Sequence, residues 1–182
     1  MKLFIAWAAL VWAAPSELDE ALAYATFGSR MPGETVSFDG LRQFDGHELR
    51  SERLPHKVRI VAFVEPLDTQ AGVERLAWWK ANAPALAKTA DLIVVPSASP
   101  RSTADLSPLV VVDDPNCLLA ARFGAVRLYG GKLGALPLAF VVDDSNIVRA
   151  TIDVERASKQ LSLIVQATQR LRQQLSEQAI SF

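Results

Sequence analysis

Few side chains in this sequence are equipped for chemistry. Cys117 is the only cysteine, and His47 and His56 are the only histidines. One cysteine allows no internal disulfide, no Cys-x-x-Cys pair and no thiolate metal cage. The histidines fall in a polar, turn-rich stretch with no second ligand type beside them. Both are expected at the surface, since a zinc site needs three or four converging groups. No metal and no cofactor is expected. Thr69 carries a hydroxyl with no adjacent base, which argues against nucleophilic catalysis there. Cys117 falls in the first turn of a helix expected over 116–123. The helix dipole there would favour a thiolate, able to form a mixed disulfide or serve as a one-cysteine sensor. The alternative is a small, partly buried side chain of no chemical importance.

The elements that must position these residues centre on Gly134-Ala-Leu-Pro-Leu-Ala-Phe-Val-Val-Asp143. Proline cannot donate to a sheet ladder, so Pro137 belongs at a strand's first residue. Asp143 to Asn146 supplies a turn, and a second run follows from Ile147 to Ile152. Val58–Val64 and Asp91–Val95 are nearly continuous apolar runs, suited to strands buried on both faces. Leu109–Val112 gives a third strand. A helix is expected over 69–88 with Leu76, Trp79 and Ala83 inward and Pro84 kinking or dividing it. Trp79 reads as core and Trp78 as cover for the sheet's rim, rather than as an aromatic binding box.

Asp114 and Pro115 suit the cap and first position of the 116–123 helix, and Gly124 its C-terminal stop. Gly130, Gly131 and Gly134 predict a flexible loop. Leu161, Ile164, Thr168, Leu171 and Leu175 recur at helical spacing in a last helix over 155–176. Near the start, Asp39-Gly40 and Asp45-Gly46 separate short alternating runs, which predicts β-hairpin structure at a sheet edge. Strands alternating with helices indicate a mostly parallel sheet between helices, made mixed by the terminal hairpin.

The chain has 182 residues, half of them hydrophobic, with a formal net charge of -1. That suits one domain with a real core. No basic stripe suggests nucleic acid. Met1-Lys2 precedes a twelve-residue apolar run, Leu3 to Ala14, that fits a secretory signal, with Val11 and Ala13 as the small residues of a cleavage site. The run is short of the ~20 residues of a membrane span. Residues 1–14 are therefore expected to be a signal peptide or N-terminal anchor, with membrane association possible through 3–14. Export to a bacterial periplasm, or anchoring that faces it, would follow. Residues 15–32 read as a short polar helix capped by Ser16 and a linker, and 33–182 as the folded domain.

The order of these elements resembles the thioredoxin fold, and within it the redoxin branch: AhpC/TSA peroxiredoxins and TlpA-like exported thiol proteins. The Gly-x-Leu-Pro-Leu-x-Phe-Val-Val-Asp hairpin and its terminal helix carry the likeness. Met31 to Phe38 and Phe44 to Leu49 look like the family's entry segment, with Phe38 one residue early. Asp113-Asp-Pro-Asn and Ala121-Arg-Phe-Gly-Ala125 look like a later family segment. The resemblance runs from about Gly33 to Leu175. It implies a three-layer α/β/α sandwich with a mixed central sheet and an N-terminal β-hairpin extension. It also implies that Pro137 is the fold's cis-proline.

The departures decide the chemistry. Peroxiredoxins carry P-x-x-x-T-x-x-C after the first core strand. Pro66 and Thr69 echo that form with one residue missing, and the nucleophile position falls on Gly72 or Val73. The TlpA-like register instead puts its two cysteines on Leu76 and Trp79. The arginine that peroxiredoxins often place near the hairpin falls on Leu138 or Ala139. Peroxide reduction and disulfide exchange need a thiolate, so the family's ordinary activity is expected to be lost. Three readings remain. The first is a redox-inactive adaptor or chaperone-like module whose Leu136 backbone pairs with an extended peptide or another protein, in a groove that includes Pro66, Thr69, Gly72 and Pro137. The second is a thiol-dependent oxidoreductase working through Cys117 and an external thiol. The third is a structural domain held by its N-terminal segment.

Overall fold

The computed structural model describes residues 33–50, 54–97, 109–129, 131–154 and 157–180. The expected signal or anchor, the polar helix and linker before Gly33, and nearly all of the loop after Ser97 lie outside them. In chain order the elements are β1 (Arg42–Gln43), β2 (Arg59–Val64), α1 (Gln70–Leu86), β3 (Asp91–Pro96), β4 (Val110–Asp113) and α2 (Leu118–Arg122). There follow β5 (Val126–Tyr129), β6 (Lys132–Ala135), β7 (Leu138–Val142), β8 (Val148–Asp153) and α3 (Ala157–Ile180).

β2 and β3 are buried at every residue, as their nearly continuous apolar runs require, and this includes the charged Arg59 and Asp91 that begin them. They form the middle of a six-stranded sheet ordered β1-β4-β3-β2-β7-β8. β2 and β4 flank β3 in parallel, whereas β1–β4, β2–β7 and β7–β8 are antiparallel. The sheet is therefore mixed, but not mostly parallel. The hairpin that Pro137 opens enters directly beside β2 and makes β7 its antiparallel neighbour. Short β1 at one edge pairs β4, and Asp45-Gly46 turns the chain back there, with Gln43 N–H bonded to His47 O at 2.7 Å. The run Val36 to Phe38 does not pair across Asp39-Gly40. Instead Thr35 bridges Ile147 and Val36 N–H meets Asn146 O, while Val36 and Phe38 are buried in the core.

Side chains of a strand alternate between faces, and this splits the core in two. Val61, Phe63, Phe140 and Val142 share one cluster with Leu119, Ala120 and Phe123, and with Val36, Phe38 and Leu49 from the N-terminal segment. Phe63, Phe123 and Phe140 stack at ring centroid distances of 4.9–5.8 Å. Ile60, Ala62, Val64, Ala139 and Val141 share the other with Trp79, Ala83 and Leu86 of α1 and Ile164 and Leu171 of α3. The architecture is an α/β/α sandwich with α1 and α3 on one face and α2 with the entry segment on the other.

Several expectations need correction. Pro84 does not divide α1, which runs on to Leu86 and closes with Ala87 N–H on Ala83 O; the one donor it lacks lies in the last turn, just before the helix end. The 116–123 helix is only Leu118–Arg122. Cys117 holds the cap position, yet Asp114, with Pro115, Asn116 and Cys117 between it and Leu118, still satisfies the first turn, accepting from Leu119 N–H at 3.1 Å and Ala120 N–H at 3.0 Å. Gly124, at φ 63°, closes it: Gly124 N–H bonds Ala121 O and Ala125 N–H bonds Ala120 O. The expected flexible loop is a second, two-stranded sheet, β5–β6, in which Tyr129 pairs with Lys132 across two glycine positions. Among the described residues, no helix is long and apolar enough to cross a membrane.

Candidate functional site

The β2–α1 connection and the start of β7 meet at one end of the sheet. β7 pairs β2 antiparallel, with Ala62 opposite Ala139; continued two residues, that register sets Val64 opposite Pro137. Glu65 and Pro66 leave β2 there, and Thr69 caps α1. The fold thus brings Pro66, Thr69, Gly72, Leu136 and Pro137 to the same end of the sheet.

What these residues do there is largely structural. Thr69, in extended conformation (φ −101°, ψ 151°), accepts Gly72 N–H at 3.1 Å and donates its own hydroxyl to Pro66 O at 2.6 Å. Both roles of that hydroxyl are taken, by an N-cap of the usual kind. Gly72, three residues after Thr69, is buried and has no room for a side chain. A Cβ there would lie 2.7 Å from Glu65 O and even nearer to Pro66 O, and both obstacles are backbone. The Glu65-Pro66 segment fills the space a nucleophile's side chain would need. Val73, the other candidate position, is half exposed on α1. Trp79 is fully buried in the core, as expected, and Leu76 is half-buried beside it.

Leu136 and Pro137 are tied into the scaffold. Leu136 N–H bonds Ala125 O at 2.8 Å, and Leu138 N–H bonds Leu136 O at 2.8 Å, a tight turn around Pro137. Val154 N–H bonds Pro137 O at 2.8 Å. The backbone donor expected to serve a guest peptide at Leu136 is already engaged. One lone pair of its carbonyl remains.

Cys117 does not sit in a helical first turn. It precedes α2 in the left-handed region (φ 56°), is buried in the apolar cluster, and lies 3.8 Å from Leu133 O. Burial, and then the nearby Asp114 carboxylate, push its thiol up to about 11. Burial also raises Asp114, against the pull of its backbone hydrogen bonds. This environment favours the thiol over the thiolate and agrees with the reading of Cys117 as a small buried side chain. A helix of five residues contributes little, and the charge beside the sulfur is negative rather than positive.

Two polar pairs escaped sequence reasoning. Arg75, one turn after Gly72, holds Glu65 bidentately, with both N–O distances 2.9 Å, and gives a third bond to Val154 O at 2.9 Å. This ties together the ends of β2 and β8 and the first turns of α1. His56 is half-buried rather than a free surface histidine. Its ring Nδ1 lies 2.8 Å from Asp91 Oδ1, and its backbone N–H bonds Asp91 Oδ2 at 2.9 Å. Glu65 and Arg75 are ten residues apart and His56 and Asp91 thirty-five, spacings that carry no periodic signal. His47 is exposed, as expected.

The decisive comparison is with solved structures. Peroxidoxin BcpB from Mycobacterium tuberculosis is similar at a TM-score of 0.62 and 22% identity, covering 78% of this chain and 96% of that one. The chain has a thioredoxin-like redoxin fold. Peroxiredoxin Q from Xanthomonas campestris gives 0.60 at 16% identity, over 79% of this chain and 99% of that one. A thiol peroxidase from Chromobacterium violaceum gives 0.57 at 18%, over 74% and 88%. No family model and no curated protein matches the sequence. The thioredoxin-like fold is thus present nearly whole, and at its β2–α1 connection Gly72 packs against the backbone carbonyls of Glu65 and Pro66.

Proposed function

We propose that the chain is a redox-inactive redoxin-fold protein that works by binding, as an adaptor or chaperone-like module, and not by thiol chemistry. Gly72 carries this reading: the position lacks a thiol, and the Pro66 and Glu65 carbonyls leave no space for one. The remaining thiol, Cys117, is buried and held protonated at neutral pH, which disfavours a one-cysteine enzyme. An extended peptide laid against Leu136 would find one acceptor and no donor, so strand addition there would be weak and would need side-chain contacts to supplement it.

Peroxide consumption with a dithiol reductant tests the reading directly. Wild type and Cys117→Ser are expected to match the no-protein rate; a rate that falls on removing Cys117 overturns it. A peptide partner is tested by isothermal titration with whichever segment is captured: Leu136→Asp should weaken binding tenfold or more, and equal affinity places the contact elsewhere. Export through residues 1–14 belongs to the same reading, since a partner in an oxidising compartment need not find reactive thiols here.

A further inference from the structure

A second site opens where the His56–Asp91 pair meets the last turns of α3. A cleft of about 340 Å³ is lined by Pro55, His56 and Lys57 from the approach to β2 and by Arg172, Leu175 and Ser176 from α3. Half of these residues carry basic nitrogen groups, they come from elements more than a hundred residues apart, and none is a carboxylate. Asp91 stands behind His56. It is buried, and both its oxygens are turned to that residue, one to the ring Nδ1 and one to the backbone N–H. This fixes the imidazole and leaves Nε2 on the side away from Asp91. Arg172 gives one N–H to Lys88 O at a long 3.4 Å, and a guanidinium has five such donors in a planar fork. Glu177, the neighbouring acid on α3, is engaged by Gln173 at 2.9 Å.

We propose that this cleft binds the phosphate group of a small organic phosphate ester. Two permanent cations, Lys57 and Arg172, match a dianion, whereas a single carboxylate would leave one of them unneutralised. Arginine offers the bidentate geometry a phosphate takes, and lysine the compact point charge. His56 Nε2 and the Ser176 hydroxyl add polar groups at the same cleft. Its volume exceeds a bare phosphate and falls in the range of small-ligand sites. Leu175 and Pro55 supply an apolar wall for the rest of the molecule. Nothing in this depends on redox chemistry, and Cys117→Ser protein should bind identically, so the two readings fail separately.

Isothermal titration of the full chain at fixed ionic strength tests it, with inorganic phosphate and glycerol 3-phosphate as probes. Saturable binding is expected, the ester at least as tight as phosphate, and Lys57→Gln/Arg172→Gln should weaken both tenfold or more. The exposed single substitution Lys57→Gln, expected to weaken binding severalfold, keeps the test available should the pair unfold. Arg127→Gln on the β5–β6 hairpin should bind like wild type. Equal heats in wild type and the double variant, or heats reproduced by sodium chloride at the same ionic strength, overturn the proposal. Saturable phosphate binding with no binding of the ester also overturns it.

Discussion

Gly72→Ala is the sharpest probe of the proposal that the β2–α1 connection has no room for a nucleophile. At an exposed helix position the change should stabilise, because glycine costs roughly 0.5–1 kcal/mol relative to alanine. At Gly72 the new methyl would stand 2.7 Å from Glu65 O and closer still to Pro66 O. Neither obstacle is a flexible side-chain end. Pro66 O already accepts both the Thr69 hydroxyl and its N–H, so moving it disturbs the cap of α1. Overpacking of this kind costs about 1–3 kcal/mol, and losing the cap costs about 1 kcal/mol more. Set against the helix gain, the net is a destabilisation of about 1–3 kcal/mol. Urea unfolding at pH 7 with an unchanged m-value measures it. Gly72→Cys should be destabilised at least as much and should not acquire peroxide consumption. If Gly72→Ala is as stable as wild type, or more so, the connection yields freely. Lack of space is then not what excludes a nucleophile.

Three further outcomes are expected. The Cys117 thiol has its folded pKa raised from 9.0 to about 11, so its contribution is fully present below pH 9 and lost as pH rises through 11. Roughly 2–3 kcal/mol should disappear over that window in wild type and not in Cys117→Ala, by paired urea titrations at pH 8.5 and 11. Arg75→Ala leaves Glu65, only 13% exposed, without its partner. It should cost about 2–4 kcal/mol, somewhat below a fully buried pair, while Arg75→Ala/Glu65→Ala should recover part of the loss in a thermal or urea melt. N-terminal sequencing of protein from its native host should find a chain starting after Ala13 or Ala14; an intact Met1 in a soluble fraction ends the export proposal.

The scaffold was legible where local pattern and tertiary role coincide. Val58 to Val64 and Asp91 to Val95 are apolar apart from Arg59 and Asp91, because both faces of β2 and β3 are covered. Pro137 leads β7 because its missing N–H suits a strand's first position. Thr69 and Gly124 announce the ends of helices by chemistry they carry themselves. The β5–β6 hairpin was harder. Val126-Arg-Leu-Tyr and Lys-Leu-Gly-Ala flank Gly130-Gly131 as a two-residue turn would require, but each run is short and Gly134 sits inside the second. Pairing alone decides the matter, as Arg127 opposite Gly134 shows. The candidate site was legible in its membership and not in its state. No local signal says that Pro66 O lies against Gly72, that Asp114 and Leu133 O surround Cys117, or that Ala125 O takes the Leu136 N–H. Each of these depends on where a distant carbonyl or carboxylate arrives.

The Arg75–Glu65 clasp gives this end of the sheet a structural role that needs no thiol chemistry. A thiolate site at a helix N-terminus depends on positive potential that stays available to the sulfur. Here the guanidinium one turn beyond Gly72 is neutralised by Glu65 and bonded to Val154 O, so its charge serves to join β2, α1 and β8. The Thr69 hydroxyl, which might have faced a substrate, closes the cap instead. The Leu136 N–H holds the β5–β6 hairpin by way of Ala125. The Arg75 guanidinium, the Thr69 hydroxyl and the Leu136 N–H are all bonded to neighbours in the same chain. That pairing favours stability, because a satisfied buried donor or acceptor avoids the ~1–3 kcal/mol cost of an unpaired one. Placing a working thiolate at Gly72 would therefore take more than one substitution: the Glu65-Pro66 backbone would have to withdraw, and Arg75 would have to be released.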